Sequence, residues 1–389
     1  MKRTILQIVP SLNNTGGGVE RGTLDVAKEI VENGFNSIIL SAGGNMAEKY
    51  KHKGVKNYTL PLDTKSPFSY VKIKKGIKNI IEETKPDIVH IRSRWPAFCL
   101  NQTIKTFKIP LITTYHGTYK GNKNFLKKRY NQVMVNGDKV IAISEYIYEQ
   151  ISFFFPDALN KTILINRGID SDYFNPKRIS IQRKENALSD LRIPENRHII
   201  LLPGRLTSWK GHDVAIEAAK YIKLIMPDLN FSMIFVGSHQ KRDSYLKRLK
   251  SKIKSNNLAN YVFFSGPKLD MPSIYNLADV VLSTSVEPEA FGRVSAEASA
   301  MCKPIIASNH GGSKYTIQDN TTGWLVKPGD ANELSKKIVE IIRKKQSAKD
   351  IIGRKARERI INKFNIRTML DKTIALYENT ISKKEYSNN

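Results

Sequence analysis

The chain has 389 residues, with 63 Lys or Arg against 36 Asp or Glu, a formal net charge of +27. A hydrophobic share of 40% and a charged share of 25% are near globular averages, which excludes a wholly disordered chain, and the length suits two or three domains. Only two cysteines occur, Cys99 and Cys302, too few and too far apart for a disulfide framework or a metal cluster, which points to a reducing cytoplasm.

The first apolar run, residues 5–9, stops at Pro10, too short for the core of a signal peptide, and predicts a buried strand. No stretch approaches the roughly 18 apolar residues needed to cross a bilayer, so any membrane contact is expected to be peripheral. Further strands are expected at 37–40, 88–91, 111–114 and 140–143, with amphipathic helices at 19–32 and 71–83 between them. In the second helix Ile73, Ile77, Ile80 and Ile81 recur at helical spacing while Lys72, Lys74, Lys75 and Lys78 take the other side. A polar, pattern-poor stretch at 176–197 reads as a linker. The alternation then resumes with strands at 199–202, 231–236, 262–265, 280–283 and 304–307, and a last helix from 366 to about 381 precedes a charged tail.

This βαβ alternation predicts an α/β chain of two Rossmann-like, doubly wound domains, 1–180 and 181–365, then a helix at 366–382 and a tail at 383–389. Ligands are expected in a cleft between the domains, at the carboxyl ends of the strands.

Three segments carry chemistry. Gly16-Gly17-Gly18-Val19-Glu20-Arg21 follows the first strand and opens a helix, where amides and the helix dipole attract phosphate; a tight turn without ligand is the plain alternative. It lacks the Gly-x-Gly-x-x-Gly dinucleotide fingerprint. Gly204-Arg205-x4-Lys210-Gly211 follows the strand at 199–202, and its Arg and Lys can converge on one diphosphate, although the Gly-Lys-Ser/Thr ending of a P-loop is missing. In Glu289-x7-Glu297 the two carboxylates flank Phe291-Gly292 at a helix start. Eight residues of helix would separate them by about 12 Å, beyond the roughly 5–9.5 Å of a hydrolytic pair. They are better placed to touch different parts of one long ligand, with the amides of Phe291, Gly292, Arg293 and Val294 facing its phosphates.

Together with Asn166-Arg167-Gly168-Ile169-Asp170, these motifs, in this order over about residues 4–380, resemble the family-4 retaining glycosyltransferases of the GT-B fold. The resemblance implies a cleft between two facing domains and a C-terminal helix returning to the first. It also implies that the amides around Gly17 and Gly18, with Arg205 and Lys210, bind the donor diphosphate, that Glu289 contacts the transferred sugar and that Glu297 holds the ribose. His116, after the strand at 111–114, matches the family histidine beside the reacting sugar. No metal is implied, and Asp170-Ser171-Asp172 belongs to the Gly-Ile-Asp turn rather than to an Asp-x-Asp metal site.

Residues 86–97 and the turn Ser308-Asn309-His310-Gly311-Gly312 are closest in look to lipopolysaccharide core mannosyltransferases. That likeness implies GDP-mannose as donor and a lipid-anchored saccharide as acceptor. Arg92 and Arg94 suit an acidic acceptor, and Trp95 suits either a sugar ring or the core. One position departs from the family: Tyr315 stands where a glutamate is common, which bears on donor preference.

The charge excess fits an anionic partner as well as a lysine-rich background. The basic helix at 72–78 and the run 123–129 are expected to rest on an anionic inner leaflet. No helix-turn-helix, zinc or ribonucleoprotein motif is present, so nucleic acid is not expected. The rivals are another nucleotide-sugar donor in surface polysaccharide synthesis and a GT-B epimerase or hydrolase acting on the donor alone.

Overall fold

The computed structural model describes residues 2–13, 18–51, 54–119, 121–122, 124–240 and 242–388, with the backbone alone for 49–51 and 383–388. The chain divides into two compact units, Met1–Asn166 with Arg367–Asn389, and Arg167–Ile366.

The first unit holds seven parallel strands: β1 (Thr4–Ile8), β2 (Asn36–Ser41), β3 (Val55–Thr59), β4 (Ile88–Ile91), β5 (Leu111–Tyr115), β6 (Lys139–Ala142) and β7 (Thr162–Leu164). They lie in the order β3-β2-β1-β4-β5-β6-β7. All five residues of β1 are buried, because helices cover both faces of a parallel sheet. The order reverses between β1 and β4, which pair through Ile5 and Ile88, and the carboxyl ends of strands at such a reversal are where ligands enter doubly wound sheets.

The second unit repeats the plan with β8 (His198–Pro203), β9 (Phe231–Val236), β10 (Val262–Gly266), β11 (Val280–Ser283), β12 (Ile305–Ser308) and β13 (Trp324–Val326). Their order is β10-β9-β8-β11-β12-β13, with the reversal between β8 and β11. Ile200, Leu202, Phe231, Phe235, Val280 and Ile306 from these strands join one core with Ile216, Ile222 and Ile338 from the helices. The expected α/β architecture of two Rossmann-like sheets is therefore present.

Several boundaries differ from the sequence reading. Helix Pro67–Thr84 begins four residues before the expected 71, because Ser66 caps it reciprocally with Ser69 and Pro67 occupies its first turn. The stretch at 176–197 is no linker, since it contains helix Ile181–Leu191, capped by Ser180. That helix is fixed by a two-pronged contact from Arg183 to Asp270, Nε to Oδ2 at 3.0 Å and Nη2 to Oδ1 at 2.6 Å.

The division between units falls at 166/167 rather than at 180/181. Ile169 donates its amide to Phe364 O at 2.7 Å and accepts the Ile366 amide at 3.0 Å, while Arg357 donates to the carbonyls of Phe174 and Ser171. These bonds tie 167–175 to the end of the second unit. The last helix, Ile366–Asn388, runs through most of the expected tail. It packs in the first unit, where Arg367 Nη2 lies 3.0 Å from buried Glu29 Oε1.

Candidate active site

Three adjacent strands of the second unit, β8, β11 and β12, end in loops that are bonded to one another. In the first, Lys210 ends the short 3-10 turn Ser208–Lys210 and Gly211 caps it. Gly211 has φ +75°, and a Cβ there would lie 1.9 Å from the carbonyl oxygen of Thr284, in the loop after β11. Glycine is therefore required by both backbone conformation and close approach. The amide of Val286 donates to Trp209 O at 2.8 Å, which closes the β8 and β11 loops on each other. The third loop, after β12, presses Gly311 and Gly312 against Glu289 and Phe291, and the Gly312 amide donates to Glu289 O at 2.7 Å.

This stitching brings Lys210 to Glu289. Lys210 Nζ donates to Glu289 Oε1 at 2.7 Å, with both side chains close to nine-tenths buried, and Ser285 Oγ donates to the same oxygen. Burial opposes ionisation of Glu289, but the charge and hydrogen bond of Lys210, the hydroxyl of Ser285 and nearby His310 outweigh it and hold the carboxyl below its ordinary range. The Lys210 ammonium also lies 4.6 Å from the centre of the Trp209 ring. Arg205, on the same loop, is exposed to solvent.

Eight residues on, Glu297 sits inside the short helix Arg293–Ala300, whose cap is Gly292 at φ +81°. Its carboxylate accepts Arg293 Nε at 2.6 Å and the Tyr275 hydroxyl at 2.9 Å. Burial and that carboxylate push the Tyr275 hydroxyl pKa well up, so it remains a donor. The two glutamates thus have different partners, as a division of roles rather than an acid/base pair requires. Phe291 and Val294 are buried, and the Phe291 ring meets Phe364 edge-on at 5.7 Å.

Three residues here were not singled out from sequence. Ser285 and Tyr275 carry no motif signal, and His310, whose Nε2 lies 2.7 Å from Ser285 O, was visible only as part of the Gly-Gly turn.

In the first unit Gly17 lies outside the described residues, and Gly18 opens the helix Gly18–Glu32. Arg92 and His116 directly follow β4 and β5, which are neighbours. Arg92 is buried, and burial lowers its pKa against the counter-effects of Tyr377 and Asp25. Below it, fully buried His90 places Nδ1 2.6 Å from Tyr377 Oη and Nε2 2.6 Å from Thr114 Oγ1. Burial, with the charges of Arg92 and His116, drives the His90 pKa well down, so the ring is neutral.

Arg94 donates to Asn131 Oδ1 at 2.7 Å and lies over the Tyr119 ring at 4.1 Å, while Trp95 stacks on Phe98 at 5.8 Å. Both are thus engaged within their own unit. Asp170 Oδ1 accepts the amides of Asp172 and Tyr173, the hydrogen bonding of a turn.

Residues 16–173 match the family model described as Glycosyltransferase Family 4, and residues 183–359 that of Glycosyl transferases group 1. A solved glycosyltransferase from Rickettsia africae ESF-5 is 35% identical, covers 98% of this chain and 99% of its own, and superposes with a TM-score of 0.87. The chain belongs to the family-4, group-1 glycosyltransferases. Its fold is GT-B. The glycosyltransferase is also similar to spore coat protein SA of Bacillus subtilis, 22% identical over 95% of this chain and 96% of that one. It shares its fold with Anabaena HepE, solved in complex with UDP-glucose, at 23% identity, 98% and 99% coverage and a TM-score of 0.79. Among the described residues no helix is long and apolar enough to cross a membrane.

Proposed function

We propose that this glycosyltransferase moves mannose from GDP-mannose, with retention of configuration, to a lipid-linked saccharide in lipopolysaccharide core synthesis. The observation that carries the site assignment is the Lys210–Glu289 pair at the β8/β11 reversal, beside the N-terminus of the helix Arg293–Ala300. Departure of a nucleoside diphosphate leaves negative charge on the phosphates and an electron-poor anomeric carbon. Arg205 and Lys210 neutralise the first, joined by the amides of Phe291, Gly292, Arg293 and Val294. Charge stabilisation in this scheme comes from protein groups, with no metal ion assigned a part. Glu289 is assigned to the sugar and Glu297 to the ribose, and His116 keeps the role that the family resemblance implies. The departing phosphate assists deprotonation of the acceptor hydroxyl.

The mannose and lipopolysaccharide assignments are supported by residues 86–97 and the turn at 308–312. Arg92, Arg94 and Trp95 form the acceptor side, and the enzyme works in the cytoplasm against an anionic inner leaflet. HepE, a GT-B protein bound to UDP-glucose, makes a uridine donor the main competitor.

A melting-shift panel of nucleotide sugars tests the donor, because a ligand that binds the folded state alone raises its stability with occupancy. GDP-mannose is expected to give the largest shift. A shift with UDP-glucose and none with GDP-mannose overturns the mannosyl assignment, and turnover of donor without acceptor overturns transfer in favour of an epimerase or hydrolase.

A further inference from the structure

Large apolar side chains protrude near the starts of two helices of the first unit. Phe68 is 89% exposed and Val71 65% on the helix Pro67–Thr84, and Phe125 is 74% and Leu126 73% on Phe125–Gln132. A third helix, Arg94–Thr106, joins these two. Its half-exposed Phe98 has its ring centre 6.3 Å from Tyr70 on the first helix and 5.6 Å from Tyr130 on the last. Trp95 stacks beneath the same ring. The two helices that carry the protruding residues are therefore joined through one aromatic row.

Within the segments that carry this row the charge has a single sign. Residues 64–81 contain five lysines and no Asp or Glu, and residues 88–137 contain no Asp or Glu at all. Lys72, Lys75, Lys78, Lys127, Lys128 and Arg129 are all exposed. Water alone does not favour four bare apolar tips, and a protein partner would have to match them with an unusually acidic rim. A bilayer with anionic headgroups meets both demands, because apolar tips enter the headgroup–acyl boundary while lysine stems extend toward phosphate.

We propose that this face inserts into an anionic lipid surface through Phe68, Val71, Phe125 and Leu126, with Phe98 and its tyrosine neighbours at the level of the headgroups. Insertion goes beyond electrostatic contact and rests on the lipid-linked acceptor proposed above. It places the strand ends bearing Arg92 and His116 in a unit that is itself anchored.

Flotation of the full-length protein with phosphatidylglycerol–phosphatidylcholine vesicles and with phosphatidylcholine alone tests it. The wild type is expected to bind the anionic vesicles and to keep part of that binding in high salt. Phe125→Ser/Leu126→Ser and Phe68→Ser/Val71→Ser, at exposed positions that leave the core intact, should each weaken binding at least about tenfold. Lys72→Glu/Lys75→Glu should weaken it while leaving the salt-resistant part. Wild-type protein that fails to bind anionic vesicles overturns the proposal, as do serine variants that bind like wild type. A wild-type dimer that these variants convert to monomer overturns it in favour of a self-association face. The GDP-mannose melting shift of the same variants should be unchanged, so failure of docking and failure of the transferase reading are read separately.

Discussion

Lys210 and Glu289, from the loops after β8 and β11, meet at 2.7 Å in a nearly buried ion pair. Removing one partner leaves the other charged and desolvated, at a cost on the order of 3 kcal/mol. Lys210→Ala is therefore expected to lower both stability and transfer, with transfer falling about a hundredfold or more if the ammonium also meets the leaving phosphate. The variant Lys210→Met/Glu289→Gln separates the two effects. It should recover much of the stability and none of the activity, as read by urea unfolding and by initial rates. Near wild-type transfer by folded Lys210→Ala would remove Lys210 from the mechanism.

Gly211 offers a purely steric test of the same junction. An added Cβ would lie 1.9 Å from Thr284 O at φ +75°, whereas at Gly34, with φ +81°, it would meet nothing within 4 Å. Gly34→Ala should cost only the left-handed backbone penalty of about 1 kcal/mol. Gly211→Ala should cost that plus displacement of the β11 loop, and should lose activity with it. Equal urea midpoints for the two variants would mean that the loops are not locked together as described.

The sheets were legible in the sequence because buried parallel strands are continuous apolar runs, and β1, β4, β9 and β11 fall within a residue of where the pattern places them. The strands that escaped notice, β3, β7 and β13, all lie at or beside a sheet edge and are short or mixed in polarity. Helix Ile181–Leu191 was hidden because Ala187 and Leu191 are its only buried residues, while apolar Ile181 points to solvent. In the site, glycines and charges at strand ends could be read locally. The pairing of Lys210 with Glu289, and the placing of Arg92 beside Tyr377, could not, because each depends on segments distant in sequence meeting after the sheet has formed.

Buried His212, beside Lys210, makes a pH prediction. Burial lowers its pKa from 6.5 to about 4, with the charge of Lys210 acting in the same direction. The unfolded chain takes up this proton near pH 6.5, and the folded protein does so only near pH 4. Stability is then fully present above the upper value and falls as the pH drops through the window, by about 3 kcal/mol in all. His212→Gln, neutral throughout, should flatten the acid limb of unfolding free energy against pH by close to one bound proton. An unchanged slope would show that this ring is not held neutral by the fold.

Tyr377 makes the last prediction, since its hydroxyl lies beside two buried groups. It meets His90 Nδ1 at 2.6 Å and feels the charge of Arg92, so the last helix reaches the strand ends that carry Arg92 and His116. Tyr377→Phe keeps the ring in place and removes only the oxygen, leaving a buried imidazole nitrogen short of a partner. The expected cost is about 1–3 kcal/mol. Because His90 also holds Thr114, two residues before His116, the same change should lower kcat more than donor KM. Loss of stability with kcat unchanged would confine the network to structure. Loss of both would make Tyr377 a positioning residue, acting through His90 on the strand that carries His116.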